Sequence, residues 1–400
     1  MTDARTRAVM AALKKDGGEA RFVGGAVRNT LLSAKVEDID IATPLTPDEV
    51  MRRLKAAGLG AVPTGIEHGT VTAIADGRPF EVTTLRRDVA TDGRRAVVAF
   101  TTDWKEDASR RDFTMNALYA EEDGTVFDYF GGIADLKAGR VRFIGDARTR
   151  IREDYLRILR LFRFHAWYGK GEIDAEALAA CVAEKSGLKA LSGERVQKEL
   201  LRLLEAKDPV PVLHAMERSG ILSETLPAGV RVARLERLVA IDGANGFLPD
   251  ALLRLAALLS ISPETARRLA AALRFSNAGR DRLVAALETG DGISFALSPP
   301  DAAKLLYRHG QEFVSDHVLL RWAEDAEKND AKWRALIALA DDWRRPTFPL
   351  DGSDVKTLGI GEGPKIGALL REIEQWWIDA DFKPDRDACL ARLQQAVKSR

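Results

Sequence analysis

Gly24-Gly25-Ala26-Val27-Arg28, followed ten residues later by Asp38-Ile39-Asp40, is the stretch that decides how the N-terminal part folds. The glycine pair predicts a turn at which the backbone comes close to a ligand and presents its N–H groups to a phosphate. Asp38 and Asp40 alternate within an apolar run, which predicts a strand over residues 36–42 with both carboxylates on one face. Two carboxylates that close repel each other unless a cation lies between them, and Mg²⁺ prefers oxygen ligands. In isolation, each pattern more often marks solvated aspartates or a plain turn, so the rest of the chain has to decide.

The composition predicts a globular protein with more than one domain. Of its 400 residues, 46% are hydrophobic and 30% charged, and the formal net charge is zero. This length exceeds what one core usually supports, so we expect two to four domains. Cys181 and Cys389 are too far apart to form a disulfide framework or a metal cluster. Met1 is not followed by an apolar signal core and no run has the length of a membrane span, so we expect a cytoplasmic protein.

Residues 1–145 alternate between short strands and helices. The patterns predict helices over residues 1–20, 27–34 and 47–57 and strands over residues 21–23, 36–42, 71–74, 80–85 and 127–130. The position of Glu81 leaves two possibilities open: it faces the same side as the aspartates, or it forms a cross-strand ion pair. The charged, glycine-containing segment 86–95 predicts a mobile loop.

From Arg150 onward the spacing of apolar residues is helical for most of the remaining chain. Residues 151–167 predict one buried helix, because apolar residues fall on nearly all sides of the helical wheel. Asp154, Arg157, Arg160 and Arg163 nevertheless lie inside it at spacings of three. Buried guanidinium groups are costly unless they meet carboxylates, phosphates or base edges. These residues therefore form an internal ion-pair network, or they line a pocket that reads a nucleobase edge.

A second basic concentration occurs around Phe275-Ser276-Asn277. Its members are Arg267, Arg268, Arg274, Arg280 and Arg282. Such a cluster can hold an RNA backbone, although solvated helix faces account for most clusters of this kind. Further on, Pro346 and Pro349 interrupt the helical pattern and mark a linker.

Taken together, these segments resemble one family closely: the class II tRNA nucleotidyltransferases (CCA-adding enzymes) and their relatives, the bacterial poly(A) polymerases. The matching segments, in the order of the family, are GGAVR (24–28), DIDIAT (38–43), HGTV (68–71), EVTTLR (81–86), RRDFTMNA (110–117), IREDYLRILR (151–160) and SGER (192–195). Each segment is weak evidence, but the ordered set is very specific.

The resemblance implies an α+β fold. It implies an N-terminal nucleotidyltransferase head with a mixed sheet of about five strands, followed by an all-helical neck, body and tail. The implied bounds are 1–145 for the catalytic head, 146–225 for the neck that selects the nucleotide, and 226–345 and 346–400 for the tRNA-binding body and tail.

The resemblance also implies the site residues. Asp38 and Asp40 would hold two Mg²⁺ ions, Gly25 and Arg28 would contact the triphosphate, and Arg111 would contact the nucleotide. Asp154 and Arg157 match the pair that selects ATP and CTP, and Arg160 and Arg163 match further nucleotide contacts on the same helix. The family usually has Asp where this chain has Asn29, which keeps the shape and an acceptor but removes a charge.

The implied activity is template-independent addition of CCA to the 3′ end of tRNA, with ATP and CTP as substrates and tRNA as partner. Segment 86–107 has the full length, whereas CC-adding relatives lack part of it. Poly(A) polymerases of this group carry basic extensions, whereas this chain is neutral. A poly(A) polymerase and a catalytically silent tRNA-binding protein remain the alternatives. We expect no membrane attachment and either a monomer or a homodimer.

Overall fold

The first of two units, Met1–Pro227, is built on a mixed sheet, and the second, Ala228–Arg400, is helical. The structure is a computed structural model that describes residues 3–92, 95–226, 229–325, 329–361 and 363–398, of which residues 88–92 and 95–98 are described by their backbone only. The predicted α+β class is confirmed. The finer division into head, neck, body and tail stays a prediction.

The described residues of the first unit form nine strands. They are β1 (Arg21–Val23), β2 (Asp40–Thr43), β3 (Gly60–Gly65), β4 (Thr70–Ala75), β5 (Arg78–Thr84), β6 (Arg86–Asp92), β7 (Arg95–Phe100), β8 (Leu118–Ala120) and β9 (Val126–Asp128). Seven form one sheet in the order β3-β4-β5-β2-β1-β8-β9, where about five strands were expected, and β6 pairs with β7. Within the sheet, β2 and β5 run parallel and the other neighbours are antiparallel.

The strand predicted over residues 36–42 begins later, at Asp40. Its neighbour β1 has only three residues and pairs with β2 through Arg21–Ala42 and Phe22–Ile41. Because the chain turns away at the glycines after Val23, residues 36–39 have no strand to pair with on that side. Asp38 therefore lies in irregular, exposed backbone immediately before the strand.

The mobile loop predicted over residues 86–95 is wrong for the described part of that segment, which forms the hairpin strands β6 and β7. The β-branched residues of this segment favour strand, but its many charges obscured the pattern. Gly93 and Arg94 lie outside the described residues.

The helices of the first unit are α1 (Ala4–Lys14), α2 (Gly25–Leu31), α3 (Pro47–Ala56), α4 (Trp104–Ser109), α5 (Gly132–Ala138), α6 (Ala147–Glu153), α7 (Leu156–Tyr168), α8 (Ala175–Glu184), α9 (Gly193–Leu204), α10 (Val210–Arg218) and α11 (Ile221–Thr225). The prediction of a single helix over residues 151–167 is wrong, because this segment is divided between two helices, α6 and α7. They are separated at Asp154, whose backbone is extended, with φ −157° and ψ 104°. The Asp154 carboxylate accepts a hydrogen bond from the Leu156 N–H at 3.1 Å, which supports the start of α7.

The second unit contains α12 (Val232–Asn245), α13 (Ala251–Leu258), α14 (Pro263–Ala272), α15 (Asn277–Ala286), α16 (Pro299–His309), α17 (Gln311–Glu324), α18 (Asp330–Asp342), α19 (Gly352–Thr357), α20 (Pro364–Asp379) and α21 (Arg386–Lys398). In its C-terminal part, Trp377, Ile373 and Leu393 are buried in one apolar cluster. Within the described ranges, no helix is both long and apolar enough to cross a membrane.

Candidate active site

An open cavity of about 770 Å³ in the first unit collects the residues that the sequence singled out. It is lined by Gly24, Gly25, Arg28, Asp38, Asp40, Arg86, Arg110, Arg111, Asp112, Asn116, Asp154, Arg157, Arg160, Arg163, Phe164 and Lys198. All nine predicted site residues are in this set. The structure therefore brings them together, while the role of each stays a proposal.

The glycine turn forms one wall of the cavity. Gly24 has φ +64°, a value that favours glycine, and its N–H donates to the Leu118 carbonyl at 3.0 Å. A Cβ at Gly24 would lie 3.6 Å from Nη1 of Arg111, in contact with a guanidinium that lines the cavity. Helix α2 begins at Gly25 and carries Arg28 one turn later, so the turn and this arginine are positioned together.

Carboxylates crowd the start of β2. Asp40 lies opposite Glu81 in the parallel pair β2–β5, and Asp38 precedes it by two residues. Burial raises the pKa of Asp40 to about 6, and the charges of Glu81 and Asp38 add to this effect against the opposing charge of Arg111. Such a site favours a bound cation.

The sequence allows two roles for Glu81. Its strand does pair beside Asp40, although not beside Asp38, and Glu81 is exposed. The predicted alternative, a cross-strand ion pair, is not found for Glu81 with any described residue. Whether it assists a metal stays a prediction.

The donor set at Asp38 and Asp40 fits Mg²⁺, since it offers carboxylate oxygens only. In the part of the chain that the structure describes, no group of three or more His, Cys, Asp or Glu side chains could hold a metal ion. The pair therefore fits a metal whose remaining ligands come from substrate phosphates and water, rather than a closed protein site.

Asp107 organises the arginines that begin the RRDFTMNA segment. It is 1% exposed, and its carboxylate pairs with Arg110 at 2.8 Å and with Arg111 at 3.1 Å. It also accepts a hydrogen bond from the Tyr119 hydroxyl at 2.6 Å. Burial acts to raise the pKa of Asp107, but the guanidinium groups of Arg111 and Arg110 lower it to about 2. Asp107 is thus a fixed anion that holds two cavity arginines in place.

Two further buried carboxylates, those of Asp112 and Glu199, bind arginines of α7. Arg160 donates to Asp112 at 2.5 and 2.8 Å, and Arg163 donates to Glu199 of α9 at 2.5 Å. Burial acts to raise the pKa of Asp112, but Arg160 lowers it to about 2. Phe164 lies between these groups, with the Arg163 guanidinium 4.2 Å from its ring centre.

The predicted base-selecting residues are also ion-paired. Arg157 binds Glu153 at 2.7 Å and the Arg110 carbonyl at 3.2 Å, and Asp154 accepts from Arg195 of α9 at 2.7 Å. The two sequence interpretations of this segment are therefore compatible, because the same arginines form an ion-pair network and line the cavity.

Sequence reasoning missed the carboxylates that position the arginines, namely Asp107, Asp112 and Glu199. Asp112 had a signal, since it stands between two arginines and an apolar segment. In the amphipathic helix α9, Glu199 is spaced so that it falls on the apolar face with Val196 and Leu203, a signal that could have found it. The pattern does not distinguish the cavity residue Lys198 from an ordinary surface charge.

Comparison with known proteins agrees with this arrangement. The family model "Poly A polymerase head domain" matches residues 20–142, and "Probable RNA and SrmB- binding site of polymerase A" matches residues 172–230. Among similar proteins is the mitochondrial CCA tRNA nucleotidyltransferase 1 of Mus musculus, 35% identical over 95% of this chain and 88% of its own length. Another is the CCA-adding enzyme of Levilactobacillus brevis, 32% identical over 97% of this chain and 96% of its own.

The same similarity extends to solved structures. The Bacillus stearothermophilus CCA-adding enzyme in complex with CTP aligns with a TM-score of 0.78 and 26% identity, covering 99% of this chain and 98% of the other. The chain therefore belongs to the family of CCA tRNA nucleotidyltransferases, the CCA-adding enzymes, and the resemblance stated from its motifs is confirmed.

Proposed function

We propose that this protein adds CCA to the 3′ end of tRNA, using CTP and ATP without a nucleic-acid template. The observation that carries the proposal is one cavity whose lining includes Asp38, Asp40, Arg28, Arg111 and Arg157. The relatives that match nearly the whole chain are named for this reaction. In each cycle, the 3′-hydroxyl oxygen of tRNA bonds to the α-phosphorus of the nucleotide. The bond from that phosphorus to the bridging oxygen breaks, releasing pyrophosphate and the hydroxyl proton.

Asp38 and Asp40 would hold two Mg²⁺ ions here, which when bound polarise the phosphoryl oxygens and stabilise the attacking and leaving oxygens. Arg28 and Arg111 bind the triphosphate, because a guanidinium is a multidentate donor suited to phosphate oxygens. Their fixed positions mean that little reorganisation is needed as negative charge moves toward the leaving pyrophosphate.

Asp154 and Arg157 select the base. A carboxylate acceptor and a guanidinium donor, both held by neighbouring groups, present a fixed hydrogen-bonding edge to the nucleotide. Their ion-pair partners Arg195 and Glu153 keep the two side chains oriented before the nucleotide arrives. Arg160 and Arg163 make further contacts to the nucleotide on the same helix.

The second unit is proposed to bind tRNA, in keeping with the predicted body and tail. Addition of all three nucleotides, rather than CC only, is supported by the full length of segment 86–107, which contains β6 and β7. The predicted cytoplasmic location stays a prediction, because one relative is named as mitochondrial. The choice between monomer and homodimer stays open in the same way.

The test is to incubate the purified protein with Mg²⁺, labelled CTP or ATP, and a tRNA that ends at its discriminator base. We expect addition of two C and one A, after which the reaction stops. Long A tracts on arbitrary RNA without use of CTP would replace the proposal by a poly(A) polymerase. No incorporation of either nucleotide would leave a silent tRNA-binding protein. An Asp38→Ala variant with unchanged turnover would contradict the metal assignment.

A further inference from the structure

Arg28 differs from five other arginines of the cavity in the charge of its hydrogen-bond partners. Arg110, Arg111, Arg157, Arg160 and Arg163 each form an ion pair with a carboxylate. Arg28 is 7% exposed, and its hydrogen bonds with described residues go to uncharged oxygens only. A cation so buried is costly unless its donors are satisfied, so these neutral partners need an explanation.

The partners come from three places in the sequence. Oδ1 of Asn29 accepts from Nε and Nη2 of Arg28 at 3.1 and 3.0 Å, and Oδ1 of Asn116 accepts from Nη1 at 2.5 Å. The hydroxyl of Tyr168, the last residue of α7, accepts from Nη2 at 2.9 Å and donates to Oδ1 of Asn29 at 3.4 Å. These bonds use four of the five guanidinium donors and leave one on Nη1 for a ligand.

Each partner is itself held in place. Nδ2 of Asn29 donates to the Lys35 carbonyl at 3.0 Å, a bond that an aspartate could not make. The Tyr168 ring lies under the Arg28 guanidinium, 4.2 Å from its centre, and stacks on Phe164 at 5.9 Å. The Tyr168 hydroxyl therefore joins α7 to α2 by accepting a hydrogen bond from Arg28, and no carboxylate takes part in this bond.

We propose that Tyr168 and Asn29 are positioning residues that hold Arg28 through uncharged oxygens, so that no hydrogen-bonded carboxylate reduces the positive charge that Arg28 presents to the triphosphate of the bound nucleotide. This inference rests on the proposed function for the role of Arg28. A carboxylate at position 29 would lie about 3 Å from the guanidinium, and at that range it would offset much of the charge felt by a phosphate. The neutral amide of Asn29 and phenol of Tyr168 hold the guanidinium in the same geometry without offsetting its charge.

The experiment measures binding of inorganic tripolyphosphate and of CTP to the full-length protein by calorimetry, with excess Mg²⁺ and without tRNA. Tyr168→Phe keeps the ring and removes only the hydroxyl. We expect it to weaken binding of both ligands by about tenfold, since it removes a hydrogen bond to a charged group. The two factors should be equal, because the base is not involved. The affinity for tRNA in the absence of nucleotide should not change.

Tyr129→Phe is the matched control. Tyr129 also accepts a hydrogen bond from an arginine, Arg21, at 3.3 Å, but it does not line the cavity. We expect this variant to bind tripolyphosphate as the wild type does.

Asn29→Asp tests the charge itself and does not depend on how well Tyr168→Phe folds. We expect weaker tripolyphosphate binding and a shallower dependence of its affinity on salt, because one effective positive charge is lost. The proposal is overturned if Tyr168→Phe binds within twofold of the wild type, or if Asn29→Asp binds tripolyphosphate equally well or more tightly. These measurements need no turnover, so a wild type that cannot extend tRNA would remove the proposed function without deciding this result.

Discussion

At the scale of single residues, the ionised Asp40 carboxylate is destabilised by neighbouring negative charges when no cation is bound. The folded protein raises the pKa of this carboxyl to about 6 from an ordinary value of 3.8, through burial and the nearby Glu81 and Asp38. The folded state therefore binds a proton more tightly than the unfolded state does. Stability from this group is full below about pH 4 and is lost as the pH rises through 6.

Asp40→Asn should thus stabilise the metal-free protein at pH 7.5, where the wild-type carboxylate is charged and repelled. The gain should vanish well below pH 4, where the wild-type carboxyl is protonated in both the folded and the unfolded state. With Mg²⁺ present, the same variant should lose at least ~100-fold in nucleotide addition, because a proposed metal ligand is missing. Thermal melts in EDTA across this pH range, together with the labelled-CTP assay, check both effects. A variant less stable than the wild type at pH 7.5 would contradict the repulsion.

Residue identity could be predicted from the sequence better than residue conformation. All nine predicted site residues line the cavity. The sequence could identify them because they lie in motifs whose residue types and order are specific to one family. Asp38 was nevertheless placed on a strand that does not reach it. Periodicity detects which face a side chain would take, but whether a strand forms depends on a neighbour, and β1 is too short to pair there.

At the scale of elements, the break between α6 and α7 shapes the region that we propose selects the base. The apolar pattern of residues 151–167 is continuous, so it predicts one helix. The break follows from contacts remote in sequence, since Asp154 pairs with Arg195 and the ring of Tyr155 packs against the backbone at Gly187. Contacts of this kind leave no trace in local periodicity.

Gly187→Ala should disturb this break. A Cβ at Gly187 would overlap the Tyr155 ring, so the ring must move and Asp154 with it. We expect a loss of about 1–3 kcal/mol in the free energy of unfolding from overpacking. Incorporation of GTP and UTP should also increase, because the carboxylate that is proposed to read the base is displaced. Denaturant unfolding and single-nucleotide incorporation assays measure the two effects.

Gly243→Ala is the control for that substitution. Gly243 lies in α12 with open space around its Cα, so the added methyl meets nothing. It should stabilise the protein by about 0.5–1 kcal/mol through helix propensity and leave nucleotide choice unchanged. Equal effects of the two variants would contradict the proposed packing.

At the scale of the whole molecule, the net charge is zero, so attraction to RNA has to come from local clusters of basic residues. The sequence pointed to five arginines near residues 267–282, and the structure reduces this set. Arg282 is bound by Asp250, Glu312 and Asp316, and Arg280 pairs with Asp281. Arg267, Arg268 and Arg274 are exposed, with Arg268 in an exposed ion pair with Glu264 at 3.2 Å, and we refer to these three residues as the arginine surface.

Replacing the arginine surface by alanine should weaken tRNA binding and lower the slope of log affinity against log salt by about 2–3. Binding of tripolyphosphate should not change, since these residues do not line the cavity. Filter binding over a range of salt concentrations measures the slope. Arg334→Ala, which removes another exposed arginine of the second unit, is the control. An unchanged slope in the triple variant would assign the tRNA contacts to other residues.

The long sequence span of the cavity affects how the protein is made. Its lining residues run from Gly24 to Lys198, and the carboxylate that fixes Arg163 is Glu199. A ribosome must therefore have released about half of the 400 residues before the cavity wall can close. A nascent chain that stops before α9 already carries both aspartates but lacks the groups that orient Asp154 and Arg163. Premature termination should thus yield a fragment in which the proposed nucleotide site is not organised, rather than an enzyme with relaxed base choice.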